Sequence, residues 1–286
     1  MVQGQAAYYV PERTRWPLVG SVGLALLAVG ASAYLQGAAW GGYLLLLGLL
    51  TVLVMMWGWF ATVIHESVSG LYSKQMERSF RWGMVWFIFS EVMFFAAFFG
   101  ALFYARVFAV PWLGGDDPAT SRFIWDMVVL NWPTAGPGFL DLEWQPMDAW
   151  PLPTINTLIL LSSGVTLTVA HHALKASQRG RLVLALGGTV ALGVLFLGLQ
   201  AYEYVHAYQD LNLRLSTGIY GSTFFLLTGF HGLHVLVGVV ILFSILLRAG
   251  KGHFQADNHF GFEAAAWYWH FVDVVWLGLF IFVYVL

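Results

Sequence analysis

Long apolar segments separated by short polar ones run along the whole chain. A helix needs about 20 predominantly apolar residues to cross the hydrocarbon core of a bilayer. Seven segments meet that requirement: residues 17–36, 41–64, 82–108, 154–173, 182–203, 218–247 and 263–286. The pattern therefore predicts an all-α membrane protein with seven transmembrane helices.

A polar and charged stretch follows the second apolar segment and marks a change in organisation. We expect an N-terminal segment with helices one and two at 1–66, a cytoplasmic linker at 67–81 and a five-helix bundle at 82–286. One long connection in the bundle, about 109–153, is rich in Pro, Gly, Trp and Asp. Because it contains no membrane-length apolar run, we expect it to form an outside cap or docking surface.

Lysine and arginine are distributed unequally between the two sides of the predicted bundle. Ten of the 13 flank one side, beginning with Arg13 and Arg15, and three flank the other. Cytoplasmic segments carry the excess of positive charge, so we expect a cytoplasmic N-terminus and an outside C-terminus. The polar first 15 residues, which include Glu12, do not resemble a cleavable signal. We expect a bacterial inner membrane, with the mitochondrial inner membrane as the alternative.

The composition narrows the possible chemistry. Only 10% of the residues are charged and 59% are hydrophobic, whereas soluble domains carry about 25% charged residues. A net charge of −2 provides no basic surface for nucleic acid. The absence of cysteine excludes disulfides, Fe–S clusters, thiolate zinc sites and covalently attached c-type haem.

Glu91 is the most distinctive polar residue, near the middle of the third predicted helix in MVWFIFSEVMFFAAFFG. Its neighbours at three and four residues are apolar, and no basic residue lies within a turn of it. Burial without a cation favours the protonated form of a carboxyl. Two interpretations stay open: an acid that exchanges protons, or a neutral carboxyl that hydrogen-bonds to another helix.

Histidine pairs occur in two further predicted helices. His231 and His234 are three residues apart, so they share a helical face that could seat a metal or haem. No third ligand is indicated by spacing, and interhelical hydrogen bonds are the main expectation. His171 and His172 end the fourth helix, where cations are favoured by the helix dipole. Adjacent residues diverge by about 100° on a helix, so these two do not readily chelate one metal.

The last predicted helix carries Glu263, His270 and Asp273 on or near one face. This row could be a relay leading inward, or a polar seam that pairs with neighbouring helices. A structural polar seam that also includes His231 and His234 is the expectation, because no clustered third ligand is apparent. No nucleotide loop, nucleophile elbow or H-E-x-x-H motif occurs, so neither a catalytic residue nor a metal site is predicted.

Five segments resemble subunit III of the A-type haem-copper cytochrome c oxidases. They are VIHES (63–67), FIFSEVMFFAAFF (87–99), INTLILLSSGVTLTVAHHAL (155–174), GSTFFLLTGFHGLHVLVG (221–238) and HFGFEAAAWYWHFVDVVW (259–276). The resemblance covers nearly the whole chain in order, and the last segment is the most specific.

The resemblance implies seven helices in a two-plus-five arrangement with a lipid-filled cleft. It implies a non-catalytic subunit that stabilises subunit I, binds phospholipids and supports proton uptake during oxygen reduction. Haem and copper are expected in the partner subunits I and II, and cytochrome c is expected to act through subunit II. Glu91 matches the family's buried acid. The positions that resemble its lipid-binding set are Trp59, Glu66, Arg248 and His253.

The chain departs from the family pattern at two places, and two alternative functions stay open. The family often has arginine where this chain has His65, and the outside loop from Ser121 to Asp148 looks longer than in mitochondrial relatives. One alternative is subunit III of a related quinol oxidase, although such relatives usually lack the first two helices. The other is a self-sufficient membrane metalloenzyme or transporter built on His231, His234, His270 and Glu91.

Overall fold

The computed structural model describes residues 13–123, 130–139 and 142–286. Glu12 and parts of the long connection at about 109–153 are therefore not among the described residues. The helices are α1 (Trp16–Leu35), α2 (Gly41–Val68), α3 (Lys74–Tyr104), α4 (Pro118–Phe123), α5 (Leu152–Lys175), α6 (Arg179–Gln209), α7 (Gly218–Lys251) and α8 (Phe260–Leu279). π-Helical turns extend the third helix to Asp116 and the last to Val285.

Within the described part of the chain, seven of these helices are long and apolar enough to cross a membrane. The six-residue α4 is too short to do so. The hydrocarbon core of a bilayer offers no hydrogen-bonding partner to the backbone, whereas a helix pairs its own N–H and C=O groups. An apolar segment of this length is therefore stable in the bilayer as a helix. The predicted all-α membrane fold with seven long apolar helices is confirmed.

The third long helix begins earlier than the apolar pattern predicts. It starts at Lys74, so the second half of the predicted linker at 67–81 is helical. The hydropathy pattern marks only the part of a helix that can lie in hydrocarbon. The preceding residues, KQMERSFR, include good helix formers that are stable in water. The helix consequently extends beyond the apolar segment that starts at residue 82.

The chain divides into two compact units between Phe80 and Arg81. In the first unit, α1 and α2 form an antiparallel pair whose backbones approach closely at glycines. A Cβ at Gly30 would lie 2.5 Å from the backbone nitrogen of Leu45, and one at Gly48 would lie 2.7 Å from that of Leu27. Such small residues allow close helix packing in membranes, where burial of apolar surface gives no driving force.

The core of the second unit is built around the tryptophans of α8. Trp269 and Trp276 are both 0% exposed. Their indole N–H groups donate to hydroxyl oxygens of α5, Trp269 to Ser163 at 2.8 Å and Trp276 to Thr157 at 2.8 Å. A buried indole needs such an acceptor. The two hydrogen bonds therefore fix both the rotation and the depth of α8 against α5.

Part of the long connection at about 109–153 packs over one end of the bundle. The backbone N–H of Met147 donates to the Tyr220 hydroxyl at 3.3 Å, and the side-chain amide of Asn212 donates to the Glu143 carbonyl at 2.9 Å. The Trp144 ring stacks on Tyr220 with centroids 5.2 Å apart. These contacts attach the described part of the loop to the ends of α6 and α7.

Asp117 starts the short helix α4 in the same loop. The backbone N–H and the hydroxyl of Thr120 donate to its carboxylate at 2.9 and 2.7 Å. These two hydrogen bonds favour the charged form and lower the pKa of Asp117. The carboxylate accordingly satisfies a backbone donor at the start of the helix.

The close contact between Trp269 and α6 provides a stability test. A Cβ at Gly193 would lie 2.7 Å from the rigid Trp269 ring, whereas a Cβ at Gly198 on the same helix meets no atom within 4 Å. We expect Gly193→Ala to lower the free energy of unfolding by about 1–3 kcal/mol through overpacking. Gly198→Ala should leave it unchanged or slightly raised. Thermal unfolding in detergent measures both, and equal melting temperatures for the two variants would contradict this packing.

Candidate functional site

The candidate site lies where α3 meets α7 and is centred on Glu91. The Glu91 carboxylate oxygen Oε2 lies 2.9 Å from Nε2 of His234. Their side chains are 22% and 14% exposed, respectively. The two residues are 143 positions apart in the chain, so the helical packing alone brings them together. The sequence places no basic residue within a turn of Glu91, and the structure supplies one from another helix.

Hydrogen bonding fixes which nitrogen of His234 carries a proton. Nδ1 lies 2.6 Å from the backbone carbonyl of Phe230, one helical turn earlier. A carbonyl oxygen only accepts hydrogen bonds, so Nδ1 must hold a hydrogen and donate it. The 2.9 Å contact between Nε2 and Glu91 then needs one further proton. That proton resides either on the carboxyl, which donates to a neutral imidazole, or on the imidazole, which donates to a carboxylate.

Aromatic side chains surround this pair and exclude water from most of it. Phe95 is 2% exposed, and its ring centroid lies 5.0 Å from that of His234. The Tyr268 hydroxyl donates to the backbone carbonyl of His234 at 3.2 Å. In such an apolar setting an unpaired charge is costly. Both arrangements of the shared proton avoid this cost, because each leaves the pair with no net charge.

His231 does not join His234 in a common site, although the two share a helical face. Its Nε2 donates to the backbone carbonyl of Val272 at 3.2 Å, and its side chain packs against Trp276 and Phe196. The residue is 1% exposed. The contact is an interhelical hydrogen bond between α7 and α8.

The row of ionisable residues on α8 is divided into separate groups. The Glu263 carboxylate forms an ion pair with Arg81 of α3 at 2.9 Å. His270 Nδ1 lies 3.2 Å from Asp273 Oδ2, and a Cβ at Gly164 of α5 would lie 2.5 Å from that same oxygen. No hydrogen bond or ion pair joins Glu263 to His270 in the described part of the chain. Glu263 and His270 therefore belong to separate contacts, and the polar seam stays a prediction.

A cluster of three potential metal ligands forms at one end of the bundle, although the sequence indicated no such cluster. It consists of His171, His259 and Glu263. The spacing of His259 and Glu263 is visible in the sequence, but His171 comes from another helix. His172, by contrast, is exposed. Sequence reasoning missed this cluster, because residues drawn from distant parts of the chain have no spacing signature.

Arg248 and His253, from the predicted lipid-binding set, lie near the C-terminal end of α7. The Arg248 guanidinium lies 4.6 Å from the centroid of the Phe254 ring. Arg248 Nε and His253 Nδ1 are buried with no hydrogen-bond partner among the described residues. Burial and the neighbouring charges of Arg248 and Lys251 lower the pKa of His253.

The other two members of the set belong to the first unit. Trp59 is 50% exposed on α2. Glu66, near the end of that helix, accepts a hydrogen bond from the Tyr72 hydroxyl at 2.7 Å.

Glu203 is a second buried acid that the sequence did not single out. It is 0% exposed on α6 and accepts a hydrogen bond from the Tyr284 hydroxyl at 2.7 Å. The apolar pattern predicts that the fifth membrane span ends at residue 203. Glu203 would then lie at the membrane–water interface, where a carboxylate is common. The helix continues to Gln209, so the bundle surrounds Glu203.

A double-mutant cycle tests the contact between Glu91 and His234. Replacing each by alanine, singly and together, should reveal a coupling of about 0.5–3 kcal/mol in the free energy of unfolding, because the residues share a hydrogen bond. The matched cycle of Glu91 with His231 should give a smaller coupling, because His231 bonds to α8 instead. Unfolding in detergent measures both cycles, and equal couplings would contradict the assigned pairing.

Known proteins resemble this chain over almost its entire length. The family model for cytochrome c oxidase subunit III matches residues 6–286. Cytochrome c oxidase subunit 3 of Arabidopsis thaliana is 41% identical over 286 residues, covering 99% of this chain and 98% of that protein. The subunit 3 of Triticum aestivum is 42% identical with the same coverage. That of Ornithorhynchus anatinus is 41% identical over 279 residues, covering 97% of this chain and 96% of that protein. The chain belongs to the cytochrome c oxidase subunit III family.

Proposed function

We propose that this chain is the non-catalytic subunit III of a proton-pumping terminal cytochrome c oxidase. In this role it stabilises subunit I, binds phospholipids and supports proton uptake during oxygen reduction. The observation that carries the proposal is the pair of Glu91 and His234, which holds one shared proton at membrane depth. The proton can move between carboxyl and imidazole without changing the net charge of the pair. Release of the proton to another group leaves the pair with a net negative charge, and uptake from that group restores neutrality.

The proposed partners are oxidase subunits I and II, with haem and copper in those subunits and cytochrome c acting through subunit II. His270 supports an interface with another chain. Its side chain is 45% exposed within a membrane-length helix, and it is paired with Asp273 at 3.2 Å. Polar side chains at membrane depth usually face protein or water and not lipid, so we expect a partner subunit to cover this position.

The lipid-binding proposal rests on the positive charge near the end of α7. The Arg248 guanidinium lies 4.6 Å from the centroid of the Phe254 ring and has no ion pair with a carboxylate among the described residues. A phosphate oxygen of a phospholipid head group could accept a hydrogen bond from the guanidinium. Lys251 adds a second positive charge nearby. In the first unit, Trp59 and Glu66 are the proposed lipid contacts. The indole of Trp59 would lie at the membrane–water interface, and the carboxylate of Glu66 would bind the amine of a head group.

We propose a bacterial inner membrane as the location, with the N-terminus in the cytoplasm and the C-terminus outside. The supporting observation is the distribution of the 13 basic residues, of which ten flank one side. Arg248, Lys251 and His253 then lie at the cytoplasmic face, together with the cluster of His171, His259 and Glu263.

Replacing Glu91 by glutamine tests the proposed role of the shared proton. The amide can donate to His234 Nε2 in place of the carboxyl, so we expect normal assembly and near wild-type initial turnover at pH 7. Turnover at alkaline pH, where protons are scarce, should fall below wild type because the titratable site is gone. The measurement is the pH profile of oxygen consumption by the purified complex.

Glu77→Gln, on the same helix, is the matched control and should keep the wild-type profile. Failure of the Glu91→Gln complex to assemble would show that the Glu91 carboxyl is required for assembly instead. A wild-type pH profile in that variant would remove the proposed part in proton uptake.

The lipid proposal predicts a loss of bound phospholipid in Arg248→Ala. Removing the guanidinium removes a charge-assisted hydrogen bond to phosphate, worth about 1.5–3 kcal/mol, which corresponds to roughly 10- to 150-fold weaker retention. Mass spectrometry of the purified complex measures the lipid, and the active lifetime during turnover should shorten. Arg181→Ala, at an exposed arginine near the start of α6, should change neither. Equal lipid content in the two variants would refute the assignment.

A further inference from the structure

Three side chains from two helices point their ligand atoms at one spot. His171 lies near the end of α5, His259 directly precedes α8, and Glu263 lies in the first turn of α8. Nε2 of His171 lies 3.4 Å from Nε2 of His259, which lies 3.4 Å from Oε1 of Glu263. All three atoms lie within 4.8 Å of one another.

Two of the three separations match the edge of a tetrahedral metal site. Zn²⁺ binds imidazole nitrogen and carboxylate oxygen at about 2.0–2.2 Å, so two ligands at the tetrahedral angle are about 3.3–3.5 Å apart. The two measured separations of 3.4 Å fall in that interval. Two histidines and one glutamate with an open fourth position form one of the recurrent zinc ligand sets.

The hydrogen bonding of His259 prepares it to bind a metal. Its Nδ1 lies 3.1 Å from the backbone carbonyl of Gln255, and that carbonyl can only accept. Nδ1 therefore holds the hydrogen of the neutral ring, which leaves a lone pair on Nε2 directed at the cluster. Metal-binding histidines are commonly oriented by such a bond from their other nitrogen. Without a metal, His171 Nε2–H can donate to this lone pair, and a metal ion would replace that single hydrogen.

Glu263 is also oriented by a neighbour. Arg81 Nε and Nη2 both lie 2.9 Å from Oε2, which leaves the other oxygen, Oε1, on the histidine side. The Glu263 and His259 side chains are 18% and 8% exposed, and the His171 ring packs against Phe262 with centroids 5.3 Å apart. Packing and ion pairing therefore hold all three ligands before any metal arrives, which lowers the entropic cost of binding.

We propose that His171, His259 and Glu263 form a binding site for one zinc-like divalent cation, with water as the fourth ligand. The bound ion links the end of α5 to the beginning of α8 and to the connection that follows α7. Borderline-soft ions such as Zn²⁺ and Co²⁺ suit two imidazoles and a carboxylate, whereas Mg²⁺ and Ca²⁺ prefer oxygen ligands alone. The site involves neither Glu91 nor the proposed lipid contacts, so it stands or fails independently of them.

Titration of the chelator-treated full chain in detergent with Co²⁺ tests the proposal. We expect one Co²⁺ per chain, with the strong visible absorption of four-coordinate cobalt, and displacement by Zn²⁺, which binds such sites more tightly. His171→Ala should weaken binding by at least about 10- to 100-fold, the loss typical of even an outer-shell partner. His172→Ala is the matched control, because it removes an exposed imidazole from the same helix end, and it should bind as the wild type does.

A second variant keeps the test decisive if His171→Ala fails to fold. The chain contains no cysteine, so His171→Cys introduces its single thiol at a ligand position. Bound Co²⁺ should then show a thiolate charge-transfer band that the wild type lacks, which identifies residue 171 as a ligand. Three results would overturn the site: no saturable binding to the wild type, equal loss in the alanine variants at 171 and 172, or no thiolate band in His171→Cys.

Discussion

A bilayer offers no hydrogen-bonding partner to a buried polar group, and most of the second unit is organised around that constraint. Each polar side chain placed at membrane depth must find a hydrogen-bonding partner on its own or another helix, or bear a penalty of several kcal/mol on order-of-magnitude scales. The indoles of Trp269 and Trp276 meet the constraint through the hydroxyls of α5. Those bonds also set the position of α8, because each indole has one donor and each hydroxyl one location.

The same constraint accounts for the chemistry of the candidate site. Glu91 and His234 come from different helices and satisfy each other's polar atoms among phenylalanine rings. Together they hold a single additional proton. This proton is required because Nδ1 of His234 already donates to the Phe230 carbonyl, and the contact between Nε2 and Glu91 needs a hydrogen of its own. A bond that satisfies two helices for structural reasons thereby becomes a proton-holding element. The proposed role in proton uptake rests on this element.

The long helices were predictable because hydropathy is a local property, read from about 20 neighbouring residues at a time. The family followed from long specific segments such as 259–276. The pairings were not predictable, because they join residues far apart in the chain: 143 positions separate Glu91 from His234, and 182 separate Arg81 from Glu263. Glu203 was missed because the apolar pattern marks the membrane-length part of a helix and not its full extent.

The central claim is that the Phe230 carbonyl fixes the hydrogen on Nδ1 of His234 and so requires a shared proton between Nε2 and Glu91. The most direct measurement is ¹⁵N solid-state NMR of the histidine-labelled protein in lipid, with the His234 signals assigned by their loss in His234→Gln. We predict a protonated Nδ1 at every pH at which the fold persists, with a hydrogen-bonded Nε2. A His234 ring with a bare Nδ1 and a proton on Nε2 alone would contradict the account.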